Sequence, residues 1–194
     1  MKKYIALTLA VAAAAVTSPA MAQSAVTGTV DITGNVPGKC QVLTGGGGIS
    51  QTFGNSAVDL GDLSAADGTL RTGITVSSTN FAGLDARVVC TSAQADVTLT
   101  ASPLAISGAA PALAGYANVI DYTAAAQLTT TSGTTPLSVD TATQTSSSAT
   151  IDRLANNGGN NIAITADLFE TAAGAILEQG SYAATITLSI VPAA

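Results

Sequence analysis

The sequence predicts an all-β protein, a sandwich held in a single domain. Three observations predict it. Apolar and polar residues alternate through most of the chain, the period of two that belongs to extended strands. Gly, Asn and Asp punctuate these stretches at short intervals, as turns require. After residue 22 nothing carries the periodicity of an amphipathic helix; residues 171–177 make at best one turn.

The chain opens with Met1, Lys2 and Lys3, an apolar run over residues 4–16, and then Pro19, Ala20, Met21 and Ala22. A basic start, an apolar run too short to span a bilayer and small residues at positions 20 and 22 predict a secretory signal peptide over residues 1–22. Residues 23–39 then read as an N-terminal extension and 40–194 as the β-sandwich domain. Gln23 follows the cleavage site, so no lipid anchor is expected. No later run is apolar and long enough for a membrane helix. The expected destination is the cell surface or the medium, reached by export.

Past the leader, Lys39, Arg71, Arg87 and Arg153 stand against all twelve acids, a balance of −8. Such a chain has no basic patch for phosphates, which excludes nucleic acid as a partner. It is also poor in charge and rich in Ala, Thr, Ser and Gly, a surface better suited to burial against other subunits than to a soluble monomer. Cys40 and Cys90 both lie in the exported part, where oxidising conditions pair them. That disulfide would close a loop of about fifty residues and contribute roughly 4 kcal/mol in the chain-entropy model.

Residues 24–37, SAVTGTVDITGNVP, carry Val26, Gly28, Val30, Ile32, Gly34 and Val36 on every second position. This is a strand with one apolar face, long for a small domain at about 3.3 Å per residue. It completes either its own sandwich or that of a neighbouring copy. Residues 40–44 start a strand that four glycines, 45–48, stop. Residues 34–39 superficially resemble a P-loop, but are one residue short and carry Cys40 where Ser or Thr must hold magnesium. Residues 49–60 read as a strand or ribbon. Asp59, Asp62 and Asp67 follow in DLGDLSAADG, whose spacing does not fit an EF-hand and whose Asp67-Gly68 is a turn pair; calcium there is the lesser reading.

Alternation returns over residues 70–78, and over 84–91, where it points Cys90 inward towards Cys40. Residues 97–101 continue it, and 116–130 offer Val119, Ile120, Tyr122 and Leu128. Residues 129–150, dominated by Thr and Ser, predict ribbons and loops, and Asn156–Asn161 a turn. Ile162, Ile164, Ala166 and Leu168 resume the pattern. The clearest strand is the last, with Tyr182, Ala184, Ile186, Leu188 and Ile190 on one face and Pro192 as its stop.

The chain has no histidine and no tryptophan. Triads built on His and the usual zinc sites are therefore excluded. Asp59, Asp62, Glu170 or Glu178 could pair for glycoside hydrolysis, yet without aromatic platforms they read better as surface acids. No enzyme, cofactor or metal is expected.

Taken together, Cys40, Phe53-Gly54, Val88-Val89-Cys90-Thr91, Ile120-Asp121-Tyr122 and the ending Gly180 to Leu188 resemble spore coat protein U domains, subunits of archaic chaperone–usher pili. The resemblance implies an immunoglobulin-like sandwich that lacks its last strand. It implies a periplasmic chaperone that fills the gap first, an outer-membrane usher, and other copies or related subunits joined head to tail. On that resemblance Val26, Val30, Ile32 and Val36 fill the groove of the next subunit, and Tyr182, Ile186, Leu188 and Ile190 border it, meeting the chaperone first. The expected role is a surface fibre for adhesion or biofilm formation. The alternative is a secreted, self-complemented module that keeps residues 24–37 in its own groove and binds a surface glycan or protein.

Overall fold

β-Branched and small residues spaced two apart form strands where a neighbouring backbone supplies the hydrogen bonds that buried amides and carbonyls need. The computed structural model describes residues 28–43, 48–54, 56–81, 84 and 86–193, among which there are thirteen strands and no α-helix. The expected signal peptide and Val26 lie outside the described residues. The chain divides after Asn35, and the unit Val36–Ala194 carries all the strands.

β1 (Cys40–Leu43) pairs antiparallel with β2 (Ile49–Ser50) on one edge and β3 (Arg87–Cys90) on the other. That register sets Cys40 opposite Cys90, and the two form the predicted disulfide. A second sheet centres on β7 (Val119–Thr130). β10 (Ile162–Glu170) pairs along one edge of β7; β8 (Gly133–Asp140) and β5 (Leu104–Ile106) share the other. β12 (Tyr182–Ala183) pairs with β5. β6 (Tyr116–Ala117) and β11 (Ile176–Leu177) form a short parallel pair. The remaining sheet has the order β13-β4-β9, from β13 (Ile186–Pro192), β4 (Gln94–Ala101) and β9 (Ser146–Asp152).

Alternate residues of both large sheets meet in one core. Val97 and Leu99 of β4, Ile120 and Leu128 of β7, Val139 of β8, Ile151 of β9, Ile164 of β10 and Leu188 of β13 are all buried in it. Two sheets burying one face each is the sandwich that the alternation predicts.

Several local expectations change. Of residues 49–60 only Ile49 and Ser50 join a ladder, although Val58 and Leu60 still pack on the core. Residues 70–78 make only isolated bridges, Leu70 to Ser64 and Val76 to Ala166, while Ile74 and Val76 are buried. Alternation reports which side chains reach apolar surroundings, not whether a partner backbone lies alongside. The Thr/Ser stretch goes the other way. It forms the regular strands β8 and β9, because Leu137, Val139 and Ile151 are enough to seat them while Thr134, Ser138, Ser146, Ser148 and Thr150 face outward.

Two corrections concern later strands. The register of β10 slips between Asp167 and Glu170, and Leu168 takes φ +52°. This bulge turns Leu168 out of the core, leaving it 71% exposed, and lets Phe169 stack on Tyr122 with ring centroids 5.2 Å apart. The C-terminal strand is two strands. β12 pairs with β5 and β13 with β4, and the chain changes sheet at Ala184 and Thr185. Ser102 holds that crossing, its N–H donating to the Thr185 carbonyl and its hydroxyl accepting from the Thr185 N–H. Gly180 precedes it, where a Cβ would come 2.6 Å from Ile106 Cδ1.

Asn161 is not a turn residue but part of the core wall, buried to 1% exposure. Its Nδ2 donates to the carbonyls of Val88 and Ala155, at 2.6 and 2.9 Å, and its Oδ1 accepts from the Val88 N–H at 2.8 Å. The side chain thus supplies β3 with the bonds that another strand would otherwise give.

Candidate functional site

The site begins with an edge. β13 pairs with β4 and with no second strand among the described residues. A cavity of about 1010 Å³ opens at its start. One wall is residues 56–64, which join no regular strand, and the other runs from Leu177 to Ile186. Val76, Phe81, Leu84, Leu104, Tyr122 and Phe169 line it between them. An unpaired strand edge beside a hollow with apolar side chains in its lining exposes the two features that a further strand would cover: free backbone groups and a row of side-chain seats.

Of the residues predicted to border a groove, Tyr182 and Ile186 line this cavity. Leu188 is buried in the core and Ile190 packs half-buried against it, both on the inward face of β13 but outside the cavity lining. Of the predicted groove-filling residues, Val30 and Ile32 are 84% and 93% exposed, and Val36 is 76% exposed.

The polar groups around the cavity are mostly engaged. Asp59 accepts from the Gly61 N–H, and Asp62 from both the N–H and the hydroxyl of Ser64. Asp67, which does not line the cavity, accepts likewise from Thr69. These bonds hold the carboxyls of Asp62 and Asp67 below the usual carboxylate range, with the Ser64 N–H the larger cause for the first and the Thr69 hydroxyl for the second. Each of the three acids therefore serves its own turn. Glu178 lines the cavity and accepts from Asn118 Nδ2, whereas Glu170 does not line it. Among the described residues no group of three or more acids or cysteines is placed to hold a metal.

The Tyr182 hydroxyl lies 3.0 Å from the carbonyls of both Ala117 and Glu178, and burial with the nearby Glu178 charge pushes its pKa up. Burial alone pushes Tyr122 up to about 12. Sequence reasoning missed Val76, Phe81, Leu104 and Phe169 as cavity residues. Phe81 sits in a 3-10 turn and Phe169 behind a bulge, where period-two reading has no purchase. No family model, curated protein or solved structure matches the chain.

Proposed function

We propose that this chain is a structural subunit of a surface fibre, a spore coat protein U-like pilin assembled by the chaperone–usher pathway for adhesion or biofilm formation. The single observation that carries the reading is the cavity that opens at the start of β13, a strand whose second edge is unpaired among the described residues. Its occupant is residues 24–37 of a second copy. That stretch has the period of two that an added strand needs, and its apolar side chains Val30 and Ile32 are exposed in the chain that carries them. Burying Val26, Val30, Ile32 and Val36 in a neighbour would contribute on the order of 6–12 kcal/mol before ordering costs. A head-to-tail contact of this kind does not close on itself and so yields a filament. A periplasmic chaperone covers the groove before assembly and an outer-membrane usher exchanges it for the next subunit.

The test is an SDS gel, with and without boiling, of mature protein produced alongside its own chaperone and usher. The expected result is a ladder of multimers that collapses to one band on heating and is abolished by V30D with I32D. A single monomer band in both lanes would refute the fibre and leave the self-complemented module.

A further inference from the structure

The cavity that the proposed strand exchange would fill has, among the described residues, one buried side-chain donor without a partner. Tyr122 lines it and is 3% exposed, yet its hydroxyl is buried with no hydrogen-bond partner among the described residues. The other tyrosine at the cavity, Tyr182, has two carbonyls within reach. A buried donor left without an acceptor costs about 1–3 kcal/mol, so the empty subunit holds an unfavourable group in the wall of the cavity that a strand would fill. Burial also keeps this phenol protonated, its pKa near 12, so it remains a donor at any physiological pH.

From this we infer that Tyr122 is the polar contact of the groove: on strand insertion its hydroxyl donates to a main-chain carbonyl of the incoming strand. The acceptor is main chain because the residues that stretch turns inward, Val26, Gly28, Val30, Ile32, Gly34 and Val36, have no side-chain oxygen. Phe169, stacked on the Tyr122 ring and lining the same cavity, shifts to admit that carbonyl. The inference rests on the strand-exchange reading and adds a residue that tells a seated strand from a merely apolar filler.

Tyr122→Phe removes the hydroxyl and keeps the ring, so its effects have opposite signs in the two states. In monomeric mature chain, refolded from urea, Y122F is expected to unfold at the same or a higher urea concentration than the wild type. In polymers the SDS ladder of Y122F is expected to decay about 5–10-fold faster, the loss of one ordinary hydrogen bond. Near-ultraviolet difference spectra, polymer minus monomer, are expected to show the red shift of a donating phenol in wild type and to lose it in Y122F. Equal ladder lifetimes, or a Y122F monomer destabilised as much as the polymer, would overturn the role of Tyr122 and leave strand exchange standing. Absence of a wild-type ladder would overturn both.

Discussion

Replacing Asn161 by Ala removes three hydrogen bonds at one buried point. The Val88 N–H and carbonyl and the Ala155 carbonyl lose their partners together. Each buried backbone group left unpaired costs about 1–3 kcal/mol. Water entering the space vacated by the amide recovers part of that, so a net loss of about 3–5 kcal/mol is expected. Against a total of about 5–15 kcal/mol for a domain, this is a large fraction. The backbone bonds of Asn161 itself, its N–H to the Ala86 carbonyl and its carbonyl from the Thr129 N–H, remain, so the loop should keep its path. Urea titration of the disulfide-intact protein, followed by far-ultraviolet circular dichroism, reads the loss as a lower midpoint at unchanged slope. N161D should be no better than N161A, because a carboxylate in place of Nδ2 would face two carbonyls. A loss under 1 kcal/mol for N161A would refute the argument that this side chain stands in for a strand.

Two further outcomes follow from the same core. L168N is expected to raise stability by about 0.5–1 kcal/mol, since Asn tolerates the left-handed conformation that Leu168 occupies and the leucine side chain is mostly exposed; a lower urea midpoint would contradict this. Stability should also fall as pH rises from 10 towards 12. The folded pKa of Tyr122 is raised, so in that window the unfolded chain releases a proton that the folded chain keeps. Urea midpoints at pH 8 and 11 should show the fall, and Y122F should lessen it; because Tyr182 is shifted upward too, part of the fall should remain.

Much of the fold is legible in period two. β4, β7 and the first half of β10 bury the residues that alternation marks, Val119 at the start of β7 excepted, because a strand packed on one side must put every second side chain into the core. The disulfide is legible in the same way. The oxidising compartment expected from the leader and the inward phase of Cys90 both point to Cys40, and the β1–β3 register sets the two cysteines opposite each other.

What alternation does not contain is pairing. It cannot distinguish residues 56–60, which pack on the core without a ladder, from β8 and β9, whose Thr and Ser nevertheless form regular strands. Nor does it hold the switch of sheets between β12 and β13, or the bulge at Leu168, because each depends on which distant backbone lies alongside. The cavity is of this second kind. Its walls come from residues more than a hundred positions apart. The orphan hydroxyl of Tyr122 is likewise a product of packing: β7 carries the residue into the core and Phe169 of β10 stacks on its ring. Composition and periodicity therefore determined the class of fold and the disulfide. Only long-range packing decided where the cavity lies and which edge of β13 stays unpaired among the described residues, because an edge is defined by which distant backbones come alongside.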